Sequence, residues 1–190
     1  MTTGRSLPAD YFEALYAREN DPWRFASSSY EQAKYAATVE ALAGARFPNA
    51  FEVGCSIGVL TRLLAKRCDR LLAVDVADAA LAQARQRCAD LNHVAFDRLQ
   101  VPEEWPQQTF DLIVFSEVLY YLSPDDVARA ARRSRNSLRP HGTILLVHYI
   151  LPTDYPCSGD TATQIFMPKA GLNPSLQQRE AAYRLDLLRA

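Results

Sequence analysis

Apolar positions along the chain follow two spacings that alternate after residue 50. Short, largely apolar runs occupy residues 51–53, 71–75, 93–96, 110–115 and 143–147, with Glu52, Asp75, His93 and Asp111 as their ionisable members. Runs of this length, flanked by turn residues, predict strands buried on both faces. Between them lie stretches with apolar residues every three or four positions, which predict helices over residues 59–66, 78–89 and 124–138. Ser123-Pro124-Asp125-Asp126 is a marked helix start, with Pro at the first position and acids in the first turn. Strand and helix in strict alternation predict parallel strands joined by right-handed crossovers. The tail predicts a helix from Asp160 and two short strands, around residues 176–179 and 182–188.

The first 45 residues read differently. Residues 1–10 predict a loose start, and Tyr11-Phe12-Glu13-Ala14-Leu15-Tyr16 a short helix ended by Asn20-Asp21-Pro22. One of Ser27, Ser28 and Ser29 can cap a helix over residues 30–43, which puts Tyr30, Lys34 and Thr38 on one stripe before Gly44 stops it. Two readings fit this region: packing against one edge of the core, or a cap over a bound ligand.

Composition narrows the classes. The 190 residues suit one domain, with 48% hydrophobic and 23% charged residues. A formal net charge of −1 argues against general affinity for nucleic acid. No run approaches the ~18 apolar residues of a membrane span, and residues 1–10 carry no basic-then-apolar leader pattern. Cys55, Cys68, Cys88 and Cys157 form no CxxC or zinc spacing, and the three histidines are scattered. The expectation is a cytoplasmic protein with reduced thiols, no metal site, and a monomeric state.

Ligands of parallel α/β sheets bind beyond the carboxyl ends of the strands. Those ends here carry Glu52, Asp75, the Leu99-Gln100 turn, Ser116-Glu117 and His148. The stretch Phe51-Glu52-Val53-Gly54-Cys55-Ser56-Ile57-Gly58 reads as a strand ending in an acid, then a glycine-bearing turn, then a helix. Gly54 and Gly58 permit positive φ and close approach of a ligand, and the helix behind them points amides toward the loop. The spacing fits the dinucleotide fingerprint Gly-x-Gly-x-x-Gly poorly, which disfavours a dinucleotide oxidoreductase. It resembles the first motif of class I S-adenosylmethionine (SAM) methyltransferases. That resemblance implies that Asp75, about twenty residues on, accepts hydrogen bonds from the ribose hydroxyls. The competing role for Asp75 is a helix cap, for which Asp78 is the better candidate.

The whole chain resembles the NodS-type nodulation N-methyltransferase family. The stretches that carry the likeness are Asp21-Pro22-Trp23, Tyr30-Glu31 with Lys34-Tyr35, the Gly54-Cys55-Ser56-Ile57-Gly58 loop, Phe110-Asp111-Leu112-Ile113-Val114, Ser116-Glu117-Val118-Leu119-Tyr120-Tyr121, Pro152-Thr153-Asp154-Tyr155-Pro156 and Gly159-Asp160. The resemblance implies a three-layer Rossmann-like α/β fold with a mostly parallel seven-stranded sheet closed by an antiparallel C-terminal hairpin. It implies one methyltransferase domain over residues 1–190, with a helical cap over 1–45 and a SAM-binding core over 46–190. Glu52, Gly54, Cys55, Ser56, Gly58, Asp75, Val76, Leu99, Gln100 and Ser116 would hold the cofactor, with Trp23, Arg24 and Tyr30 contributed by the cap. Gln100 stands where such enzymes often carry an Asp for the adenine amino group, and its carbonyl accepts the same bond.

The implied reaction moves a methyl group from SAM, leaving S-adenosylhomocysteine, to the free amine on the non-reducing sugar of a deacetylated chitooligosaccharide. Such a transfer needs alignment of donor and acceptor, exclusion of water, and a group to take the amine proton. Glu117 and His148 are the candidate bases, with Tyr120 or Tyr149 orienting the amine, and each carboxylate or imidazole has a structural role as its alternative. Tyr121, Tyr149 and Tyr155, with Trp23, offer aromatic faces to a saccharide. Two other readings stay open: a methyltransferase acting on another small amine or hydroxyl, and a binding module with the fold but no turnover.

Overall fold

The computed structural model describes residues 4–190. Among the described residues seven strands, mostly parallel and ending in an antiparallel hairpin, are divided between two compact units, three in one and four in the other.

The unit Pro8–Gln100 begins with α1 (Ala9–Arg18) and α2 (Ser29–Glu40). The loose start expected over residues 1–10 thus ends at Ala9, and residues 1–3 lie outside the described residues. Of the three candidate caps on α2, Ser28 takes the role, its hydroxyl accepting from the Glu31 amide. Then follow β1 (Ala50–Val53), α3 (Val59–Leu64), β2 (Leu71–Asp75), α4 (Asp78–Arg87) and β3 (Val94–Arg98). β1 pairs parallel with β2, and β2 with β3. Every residue of β1 is buried, the Glu52 carboxyl included.

α3 is shorter than its apolar spacing predicts: it tightens after Leu64 into a 3-10 turn over Ala65–Arg67. Gly58 opens it at φ +79, and a Cβ there would lie 2.9 Å from the Ala84 Cα of α4. The glycine therefore sets both the turn and the close packing of the two helices.

The second unit is Val101–Ala190 with residues 4–7. It holds β4 (Phe110–Ser116), α5 (Pro124–Ser137), β5 (Leu138–Tyr149), α6 (Gly159–Ala170), β6 (Asn173–Arg179) and β7 (Tyr183–Arg189). β4 and β5 are parallel, while β7 runs antiparallel to both β5 and β6. Ser123 caps α5 through the Asp126 amide, and Pro124 fills its first turn. Ser158 caps α6 through the Thr161 amide at 3.0 Å.

Pro140-His141-Gly142, a Pro- and Gly-bearing stretch that reads as a turn between the predicted helix over 124–138 and the apolar run over 143–147, lies inside β5 instead. The register slips there from Phe110↔Leu138 to Leu112↔Thr143, so the strand absorbs the turn as an irregularity. His141 takes φ +62 to make it. Among the described residues no helix is long and apolar enough to cross a membrane.

Candidate functional site

In the Pro8–Gln100 unit the loop after β1 folds tightly on itself. The Gly54 and Cys55 amides donate to the Val74 carbonyl at 2.8 and 2.9 Å, and the Gly58 amide to the Cys55 carbonyl at 2.9 Å. Gly54, Ser56 and Gly58 all have positive φ. The Gly54, Cys55 and Gly58 amides are thus engaged within the fold. Those amides serve the protein's own acceptors, and the helix behind them has only six residues. The loop contributes shape and side chains.

Asp75, at the end of β2, is the hub. Its Oδ2 accepts the Ser56 amide at 2.8 Å and its Oδ1 the Ala77 amide at 3.0 Å. The Val76 amide also helps to hold its charge, but burial outweighs these bonds and raises the carboxyl above its usual range. The expectation that Asp78 would cap α4 fails. The N-cap is Ala77 without a side-chain bond, and the Asp78 amide donates to Glu13 Oε1 at 2.8 Å. Asp75 carries part of the capping work and keeps further acceptor positions, since a carboxylate has about four.

Glu52, at the end of β1, is 1% exposed. Burial pushes its carboxyl up to about 7, a shift the Thr61 hydroxyl opposes and the Asp75 charge reinforces. Cys55 is buried, Val76 and Leu99 are half-buried, and Gln100 is exposed. Leu99 lies beside Asp75, its amide donating to the Asp75 carbonyl at 3.2 Å.

The three residues expected from the cap have different settings. Trp23 stacks on Phe25 with centroids 5.5 Å apart and packs against Tyr16, Ile57, Ala77 and Ala80. Arg24 is exposed at φ +58. The turn around it is fixed by Asp21, whose carboxylate accepts from the Phe25 and Ala26 amides at 2.8 and 2.9 Å. Tyr30 is 38% exposed with the Lys34 ammonium 5.1 Å over its ring. On the same stripe Lys34 is buried and forms a 2.9 Å ion pair with Glu31.

In the other unit, Ser116 closes β4, buried, and Glu117 follows at φ +60. Glu117 Oε2 accepts the Tyr120 hydroxyl at 2.5 Å and the Tyr149 amide at 3.1 Å. Tyr120 is buried, and burial together with the Glu117 carboxylate pushes its phenol up, so it stays a donor. Its ring stacks on Tyr155 at 5.4 Å, and Tyr121 meets Tyr155 edge-on at 4.6 Å. Tyr120 and Tyr121 are thus largely core aromatics, while Tyr149 and Tyr155 are half-buried.

His148 is fully buried, and its Nε2 accepts the Leu119 amide at 3.3 Å. A ring nitrogen that accepts from an amide keeps its lone pair there and its proton on Nδ1. This setting matches the structural alternative for His148 better than a base facing an acceptor. Its position on β5 signalled the strand end but not which way the ring is engaged.

The sequence marks Tyr16 only as a helix residue. Its hydroxyl meets the Ser56 hydroxyl, a contact between positions forty apart that no local spacing announces. Among the described residues no cluster of three or more His, Cys, Asp or Glu is arranged to hold a metal ion.

Residues 12–148 match the family model described as nodulation protein S (NodS). Nodulation protein S of Sinorhizobium fredii is 41% identical over 109 residues, 57% of this chain and 50% of that protein. Nodulation protein S of Bradyrhizobium diazoefficiens is 36% identical over 128 residues, 66% of this chain and 61% of that protein. The chain thus spans about half to three-fifths of the length of these curated relatives. Among solved structures, N-methyltransferase NodS from Bradyrhizobium japonicum WM9 in complex with S-adenosylhomocysteine superposes with a TM-score of 0.84 at 26% identity. That match covers 95% of this chain and 97% of the other. With 137 of its residues under the family model, the chain belongs to the nodulation protein S (NodS) family.

Proposed function

We propose that the chain is a SAM-dependent N-methyltransferase whose acceptor is the free amine on the non-reducing sugar of a deacetylated chitooligosaccharide. The observation that carries the reading is the Glu52–Asp75 arrangement of a chain in the NodS family, whose relative from B. japonicum binds S-adenosylhomocysteine. SAM, when bound, supplies a methyl group already activated on a sulfonium.

The residues present fit that cofactor. Asp75 is fixed by backbone amides on both oxygens and retains lone pairs for two ribose hydroxyls. The Gly54–Gly58 turn brings backbone close without side-chain bulk. Glu52, buried beside Thr61, offers a carboxyl to a cationic amino group. Trp23, Arg24, Tyr30, Leu99, Gln100 and Ser116 complete the proposed cofactor set.

Glu117 is the proposed base. Its Oε2 is held by Tyr120 and by the Tyr149 amide, which fix the carboxylate while leaving it acceptor capacity for an amine proton. Taking that proton frees the nitrogen lone pair for in-line attack. His148 then serves as a positioning group that holds the 118–121 turn through the Leu119 amide. Tyr121, Tyr149 and Tyr155 are the proposed saccharide contacts. The four free, buried cysteines support a reducing compartment, the cytoplasm, as the enzyme's place.

A second reading keeps the cofactor and changes the acceptor to another small amine or hydroxyl. It is favoured by one observation: the family match ends at residue 148, so Tyr149, Tyr155 and the α6–β7 tail lie outside it. A methyl-transfer assay on deacetylated chitotetraose, with chitotetraose as control, separates the two. Transfer to the deacetylated sugar alone supports the first reading. Transfer to neither, with S-adenosylhomocysteine still bound, removes the saccharide acceptor.

A further inference from the structure

The cofactor loop is tied to α1 by one hydroxyl. Tyr16 is 5% exposed and packs edge-on against Trp23 at 5.7 Å, with Ile57, Ala77 and Ala80 around it. That apolar seat would hold a Phe equally well, so packing does not explain the phenol oxygen. The oxygen meets Ser56 Oγ.

Ser56 is a non-glycine residue at φ +50, a backbone conformation that persists only where its surroundings impose it. Its amide donates to Asp75 Oδ2 at 2.8 Å, and the Ala77 amide to Asp75 Oδ1 at 3.0 Å. A continuous chain of bonds therefore runs from α1 through the loop to the carboxylate at the end of β2. Burial and the Asp75 charge keep the Tyr16 phenol protonated. Either hydroxyl can donate in that contact, and with Tyr16 donating Ser56 keeps its own proton for a further acceptor.

We infer that Tyr16 is a positioning residue for the cofactor loop, holding Ser56 so that its hydroxyl and the Asp75 carboxylate meet the cofactor as one fixed donor–acceptor pair. This rests on the cofactor reading proposed above. A tie between α4 and the segment after α1 that involves neither Tyr16 nor Ser56 serves as a control: Gln83 Nε2 donates to the Asn20 carbonyl at 2.9 Å.

Titration of S-adenosylhomocysteine into the wild type, Tyr16→Phe, Ser56→Ala, the double variant and Gln83→Ala tests the inference. One hydrogen bond corresponds to about a two- to tenfold loss of affinity. Tyr16→Phe and Ser56→Ala are each expected to show a loss of that order. The double variant should lose no more than the weaker-binding single, because the two hydroxyls act as one unit. Gln83→Ala should bind as the wild type does. In turnover, Tyr16→Phe should raise KM for SAM and leave kcat within about twofold.

Unchanged affinity in Tyr16→Phe, losses that multiply in the double variant, or an equal loss in Gln83→Ala would each overturn the inference. Should Tyr16→Phe fail to fold, Ser56→Ala probes the same contact with Tyr16 in place, and unchanged affinity there overturns it too. A wild type that does not bind removes the cofactor reading itself, an outcome distinct from all of these.

Discussion

Single residues in this chain do two jobs, and Asp75 is the clearest case. Its two oxygens hold the amides of Ser56 and Ala77, and the same carboxylate is proposed to hold the ribose. Replacement by Ala should weaken S-adenosylhomocysteine binding roughly tenfold to a hundredfold, the value of a charged hydrogen bond. Calorimetric titration of the folded variant checks this, and an unchanged affinity would refute the ribose role.

Glu117 and His148 separate by the same logic. Glu117→Gln should lower kcat by a factor of about 10²–10⁴, the range of general-base catalysis, with cofactor affinity unchanged. His148→Ala should instead cost about 1–3 kcal/mol of stability, because it orphans the buried Leu119 amide. Melting curves beside turnover data distinguish the two. If His148→Ala melts like the wild type but loses turnover, the imidazole is the base after all.

Glu52 makes stability depend on pH. Burial raises its carboxyl to about 7 in the fold, against 4.5 without that burial. The folded state therefore binds the extra proton, and the contribution is complete below about pH 4.5 and lost as pH rises through about 7. The loss is roughly 3 kcal/mol at one pKa unit per 1.36 kcal/mol. Urea midpoints at pH 5 and pH 8 should differ in this sense for the wild type and much less for Glu52→Gln. A wild type equally stable at both would contradict the assignment.

At the scale of elements, the alternation of apolar runs located five strands and the reading of the tail two more, while the cap chemistry of the serines before α2 and of Ser123 set two helix starts. Errors arose where backbone geometry answers to a distant partner. The 140–142 turn became part of β5 because the ladder with β4 resumes at Thr143. Asp78 was the natural cap by spacing, but Glu13, sixty-five positions earlier, takes its amide.

Gly159 is another such position. A Cβ there would lie 2.1 Å from the Tyr149 carbonyl and 3.0 Å from His148 Cβ, so α6 starts hard against the end of β5. Gly159→Ala should cost at least about 1–3 kcal/mol, the usual range for overpacking. It should also disturb the backbone beside Glu117, which accepts the Tyr149 amide. Thermal melting together with turnover checks it, and a variant as stable as the wild type would show that the close approach relaxes.

At the scale of the whole molecule, the acids near the strand ends were legible because a parallel sheet collects its polar residues at the carboxyl ends of its strands. Glu52, Asp75 and Glu117 stood out as acids terminating apolar runs. The burial of Tyr120 and Tyr121 was not legible, since an aromatic in a predicted loop carries no mark of which neighbours cover it. Their mutual packing with Tyr155 is a tertiary fact. The role of Tyr16 was hidden for the same reason.

Binding to the native state alone stabilises by mass action, about 2.7 kcal/mol at a hundred times Kd. Saturating S-adenosylhomocysteine should therefore raise the melting temperature by roughly 5–10 °C for a chain of this size. The most direct test of the account is calorimetric titration of S-adenosylhomocysteine into the wild type beside Asp75→Ala. It predicts one site in the wild type and an affinity at least about tenfold weaker in the variant. Absence of binding to the folded wild type would contradict the account at its centre.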